Sequence, residues 1–80
     1  MKARVNIFYK DSVFDPQGNT ILGSLQRMGF EEIEDVRIGK VVDIQFKHTD
    51  RSRAETELKN MCENLLANPV IESYRFEIES

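Results

Sequence analysis

Ile33-Glu34-Asp35-Val36-Arg37-Ile38-Gly39-Lys40-Val41-Val42-Asp43-Ile44-Gln45-Phe46 is the stretch that decides how this chain can fold. Val36, Ile38, Val42, Ile44 and Phe46 occupy even positions, with Glu34 and Lys40 the polar exceptions. Asp35, Arg37, Asp43 and Gln45 occupy odd ones, so the stretch alternates with the period of a strand that has one solvated face. Gly39-Lys40 sits in its middle and admits three readings. A two-residue hairpin would set Val36 opposite Asp43 and mix charge into the buried face. A three-residue loop, residues 39–41, restores the parity but puts β-branched Val41 where a left-handed residue belongs. The third reading is one long strand, residues 33–46, that bends at Gly39 and keeps its parity. The long strand is the reading adopted here. At 14 residues it exceeds ordinary strand length, and its far half outruns a small sheet and invites a second subunit.

Working outward, residues 3–10 alternate with Ala3, Val5, Ile7 and Tyr9 on one face and Arg4, Asn6 and Lys10 on the other. This is a first strand. Phe8 breaks the pattern and is expected to cover apolar surface of another element or subunit. Asp15-Pro16 starts a helix, the carboxylate capping free N–H groups and Pro taking the first helical position. Ile21, Leu22, Leu25 and Met28 recur at helical spacing, and Gly29-Phe30 reads as a left-handed C-terminal cap, giving a helix over residues 16–28. Gly23 inside it points to a close approach to the sheet or to a neighbouring helix. After the polar connection Lys47-His48-Thr49-Asp50, Thr49 or Asp50 caps a second helix. Ala54, Leu58, Met61, Cys62 and Leu65 mark its apolar stripe, and Asn68-Pro69 ends it. Residues 70–78 form the last strand, with Val70, Tyr74, Phe76 and Ile78 facing in. The expected fold is α+β: strand, helix, long strand, helix, strand. The sheet is antiparallel with two helices on one face, and it dimerises through the long central strand.

Composition narrows the function. Eighty residues make one small domain, residues 1–80, for which a partner is a common source of extra burial. A single Cys fits a reducing compartment, and without a membrane-length apolar run or a signal peptide the expected location is cytoplasmic. Fourteen acidic against 11 basic residues, with no basic cluster, argue against nucleic acid. Catalytic signatures are thin. His48 lies in a polar turn, Cys62 on an apolar stripe, and one of each cannot build a zinc site within one chain. The run Glu31, Glu32, Glu34, Asp35 reads as a solvated edge, and Gly39-Lys40 lacks the glycine-rich approach and following helix of a phosphate loop. From residues alone, the chain is an interaction or structural domain.

Three stretches carry a resemblance. Phe14-Asp15-Pro16-Gln17-Gly18, then Met28-Gly29-Phe30 on through Val36-Arg37-Ile38-Gly39-Lys40, and Leu66-Ala67-Asn68-Pro69-Val70-Ile71-Glu72 together resemble the PurS family, over nearly the whole chain. PurS is the small subunit of phosphoribosylformylglycinamidine synthase. The resemblance implies a non-catalytic subunit that joins an ATP-using synthetase (PurL) and a glutaminase (PurQ) and helps ammonia pass between them in purine biosynthesis. It implies dimers or larger assemblies. It also implies no cofactor in this chain, ATP and Mg belonging to the synthetase. Candidate subunit contacts are Asp15, Pro16 and Gly18 at the first helix start, where a plain capping turn is the competing reading. Arg37, Gly39 and Lys40 at the strand bend are the others, against a solvated bend that needs Gly for geometry. Two rivals are weighed. An amino-acid-binding ACT-type domain would need a glycine-rich turn after the first strand, where only Gly18 is found. An acylphosphatase would need an Arg in that loop, and residues 11–17 contain none.

Overall fold

The computed structural model describes residues 1–79. In chain order it has β1 (Lys2–Tyr9), α1 (Pro16–Arg27), β2 (Gly39–Gln45), α2 (Arg51–Met61) with a π-helical turn at Cys62–Leu66, and β3 (Glu72–Glu79). The strands form one antiparallel sheet in the order β2-β1-β3. The α+β class and the order of elements are those expected.

The alternation in β1 does what its parity demands. Ala3, Val5 and Ile7 are buried, and Val5 faces Val42 on one side and Phe76 on the other. Val42, Ile44, Phe46, Tyr74, Phe76 and Ile78 complete the same face. On the open face Arg4 lies opposite Asp43 and donates to both carboxylate oxygens, at 2.8 and 3.1 Å. Phe8 is half-buried there, with the Arg75 guanidinium carbon 5.4 Å from its ring centre. The partner found for Phe8 is thus a cation on the adjacent strand.

The long central strand is corrected in two respects. The central strand is β1; β2 is an edge. The ladder also begins at Gly39, and residues 33–38 belong to no strand. The reason lies in β1, whose pairing with β2 runs from Lys2↔Gln45 to Phe8↔Gly39, after which the chain turns away with the Val13 N–H bonded to the Lys10 carbonyl. Residues before Gly39 have no strand of this chain to pair with. The hairpin readings fail too, since Val42 pairs with Val5. The even-position face nonetheless persists: Val36, Ile38, Val42 and Ile44 are half-buried, while Arg37, Val41, Asp43 and Gln45 are exposed.

The two helices differ in how they meet the sheet. α2 is capped by Asp50, whose carboxylate accepts the Arg53 N–H at 3.0 Å. It packs Leu58 and, with the following turn, Cys62 and Ala67 into the core cluster with Ala3, Val5 and Ile7. α1 contributes no residue to that cluster among the described residues, so α2 alone covers the sheet. Gly23 correspondingly meets no neighbouring element; the nearest atom to a Cβ built there is the Arg27 guanidinium of its own helix, at 3.4 Å. The end of α1 follows the expectation. Gly29 has φ 104°, its N–H bonds the Gln26 carbonyl, and the Phe30 N–H bonds the Leu25 carbonyl at 3.0 Å, a Schellman cap.

Two inward assignments near the C-terminus are corrected. The Ala67 N–H bonds the Cys62 carbonyl, five residues back, and this widened turn adds a residue to the helix. The apolar stripe therefore continues through Leu66, while Leu65 is 82% exposed. Asn68 then organises a turn: its carbonyl accepts from Ile71 and Glu72, and its side-chain oxygen accepts the Val70 N–H at 3.0 Å. Val70 stands outside that turn, 77% exposed, and β3 begins only at Glu72.

Candidate subunit-contact site

Four of the six expected contact residues, Asp15, Pro16, Gly18 and Arg37, lie at the base of α1. Asp15 follows the β1–α1 connection, and Pro16 fixes the backbone for the first helical turn. Asp15 Oδ1 accepts the Gly18 N–H at 2.9 Å, the ordinary work of a helix cap. Its Oδ2 accepts the Ile38 N–H at 2.7 Å, from the residue just ahead of β2. Both oxygens are engaged and the residue is only 2% exposed. The Gly18 and Ile38 N–H groups, in that order of weight, hold the carboxyl below its usual range, and the nearby Arg37 charge adds to the effect.

Gly18 is set by close approach. A Cβ there would fall 2.0 Å from the Val36 carbonyl oxygen, so any side chain would push residues 36–38 off the helix. Arg37 reaches the other way: one guanidinium nitrogen donates to the Lys10 carbonyl at 3.0 Å and to the Val13 carbonyl at 2.7 Å. Asp15 and Gly18 thus meet each other and the returning residues Val36 and Ile38, between which Arg37 bonds back to the β1–α1 connection. Pro16 is exposed beside them and, with Gln17, Thr20, Ile21 and Ile38, lines a shallow apolar cleft. Gly39 and Lys40 lie further along, at the start of β2 and exposed. The Gly39 backbone passes so near Ile7 that a Cβ would come within 2.9 Å of its carbonyl oxygen.

Sequence reasoning did not find Val36 and Ile38 as the return side of this contact, nor Lys10. The Lys10 Nζ donates to the Pro69 carbonyl at 2.7 Å and its backbone N–H to Ile71. Backbone acceptors and donors separated by more than 20 residues leave no residue-type signal; Arg37 two places before a strand glycine was the only hint.

The residues with catalytic potential lie elsewhere and are occupied. Asp50 N–H donates to His48 Nδ1 at 3.2 Å, which leaves the proton on Nε2 to be donated to Glu57 at 2.9 Å. Burial pushes the Cys62 thiol up, away from the thiolate a nucleophile needs. Among the described residues no three His, Cys, Asp or Glu side chains gather to hold a metal, and no helix is long and apolar enough to cross a membrane.

Fold and site together define a small α+β domain that carries a clasped helical arm beside a three-stranded sheet. Residues 2–80 match the family model for PurS, phosphoribosylformylglycinamidine (FGAM) synthase. The FGAM synthase subunit PurS of Bacillus subtilis is 45% identical over 78 residues, covering 98% of this chain and 92% of that protein. The PurS subunit of Methanocaldococcus jannaschii is 37% identical over 98% of this chain and 94% of its own. Among solved structures, B. subtilis PurS superposes with a TM-score of 0.88 at 44% identity, over 99% of this chain and 98% of that one. A chain of PurLQS from Thermotoga maritima gives 0.84 at 30% identity, over 95% and 93%. The chain belongs to the PurS family.

Proposed function

We infer that this chain is the small subunit of phosphoribosylformylglycinamidine synthase and that it acts as one domain in the cytoplasm. It supplies no catalytic group. It holds a PurL-type synthetase, which binds ATP and Mg, beside a PurQ-type glutaminase. Ammonia released from glutamine then passes to the phosphorylated amide of formylglycinamide ribonucleotide, displaces phosphate and leaves the amidine. The observation that carries this reading is the full-length match to PurS subunits, with a chain of PurLQS among the structural relatives. The occupied state of His48 and the raised Cys62 thiol are in keeping with a subunit that does no chemistry. Exposed Pro16 and Lys40 are the direct contacts in this reading, with Asp15, Gly18, Arg37 and Gly39 shaping the surface around them. The chain associates with itself as well.

Reconstitution tests it. The synthetase and glutaminase subunits are mixed with and without this chain, and glutamine-dependent amidine formation is followed. Activity should appear, or rise by an order of magnitude or more, only when the chain is added. Equal activity in its absence would overturn the assignment.

A further inference from the structure

Residues 16–38 leave the body and return to it as one excursion: α1, its Schellman cap, and an irregular segment back to Gly39. No α1 residue enters the core cluster, and the molecule measures 49 × 26 × 14 Å. Within one chain, what orients such an arm has to act at its base. The base is bonded twice, in opposite senses. Asp15, on the way out, accepts from the backbone of Ile38, on the way back. Arg37, on the way back, donates to the backbone carbonyls of Lys10 and Val13, on the way out. Between the two, Gly18 lies against the Val36 carbonyl with no room for a side chain. Further out, the Gln26 amide donates to the Ile33 carbonyl at a long 3.5 Å, within the arm itself.

We propose that Asp15 and Arg37 are positioning residues whose reciprocal clasp sets the direction of the arm, and that assembly with the larger subunits depends on that direction. The proposal rests on the function inferred above and deepens it: Arg37 acts on assembly through geometry and not by touching a partner. The terminal guanidinium nitrogen carries two N–H groups fixed in one plane, one for each carbonyl. A Lys ammonium keeps the charge but replaces that fork with a point donor on a flexible stem.

The experiment uses the intact chain in three variants, Asp15→Asn, Arg37→Lys and the two combined. Backbone residual dipolar couplings report the orientation of α1 relative to β1 and α2. The amount of each variant giving half-maximal amidine formation with wild-type partner subunits reports assembly. The expected result is unchanged couplings in β1 and α2, reoriented or averaged couplings in α1, and a requirement for on the order of tenfold more subunit. The double variant should resemble either single one, because both bonds hold the same base. Unaltered α1 couplings in the double variant would overturn the proposal whatever the activity. So would an Arg37→Lys chain with an undisturbed arm but weakened assembly, since Arg37 would then be a direct contact. Loss of the β1 and α2 couplings in Arg37→Lys, the mildest change, would also overturn it by making the clasp a condition of the whole fold. If wild-type chain fails to stimulate the partners, the function falls, while the couplings still decide whether the clasp orients the arm.

Discussion

Asp15 shows how far a single residue can be read. Its capping of Gly18 was legible, because an Asp-Pro pair ahead of a helical pattern has a local physical meaning. Its bond to Ile38, 23 positions away, was not, because the acceptor is a carboxylate and the donor a backbone group that any residue would supply. The two bonds together, Gly18 first and Ile38 second, have a pH signature. Asp15 is held below the ordinary carboxylate value of about 3.9, so the folded state binds its proton less readily than the unfolded chain. The stabilisation is fully present above the unfolded value and disappears as pH falls through the lower, folded one. Denaturant unfolding of wild type and Asp15→Asn should therefore show a constant difference down to about pH 5 that shrinks at lower pH. Asp43, lowered by its bond with Arg4, titrates in the same region and remains present in both chains, so it cancels in the difference. A gap that stays constant to pH 2 would contradict the role of the ionised carboxylate. Gly29 gives a second prediction. With φ at 104° it sits where a Cβ costs roughly 1–2 kcal/mol, so Gly29→Ala should lower unfolding free energy by about that amount. No change on denaturation would mean that the cap relaxes to a right-handed turn.

At the scale of elements, the sequence revealed periods more faithfully than boundaries. The alternation in residues 33–46 assigned the faces of β2 correctly. Where the strand starts depended on where β1 stops, a property of a different segment. The second helix shows the same division. A period of 3.6 residues placed Ala54, Leu58, Met61 and Cys62 correctly, and then one bond from Ala67 to Cys62 reset the count. Leu58 and Leu65 are the same residue type seven positions apart, two helical turns, and a regular helix would bury both. The π turn separates them. Leu58→Ala empties a fully buried site and should cost about 2–5 kcal/mol, whereas Leu65→Ala should stay within about 0.5 kcal/mol. Urea unfolding of the two variants checks this, and similar losses from both would mean that Leu65 is buried and the turn is an ordinary helical one.

For the whole molecule, the sequence supplied the apolar residues but not the surface that covers them. Ile21, Leu22, Leu25 and Met28 gave α1 an apolar stripe, read as a face against the sheet. In the structure that stripe lies outside the core cluster, and Phe14, Ile21, Met28 and Phe30 are exposed. The radius of gyration, 16.2 Å, exceeds the roughly 12 Å expected of a compact chain this long. A fold that leaves these four large apolar side chains at and beside α1 in water, besides Val41, Leu65 and Val70 elsewhere, and extends so far from its own core is stabilised by covering them. A second copy can do so at the concentration of the chain itself, without waiting for a larger subunit. Sedimentation should then report a mass above the 9.3 kDa of one chain. Ile21→Glu combined with Met28→Glu should move it toward that value, because a charge on the covered face has to be desolvated in the assembly but not in the free chain. Neither residue packs into the core around Val5 and Leu58, so the double variant should retain its β-sheet circular dichroism and, once dissociated, a cooperative melt. A wild-type chain sedimenting at 9.3 kDa across the micromolar range would sink self-association. A double variant with the wild-type mass would exclude these two side chains from the interface and send the search to the exposed edge of β2, where Val41 also stands in water.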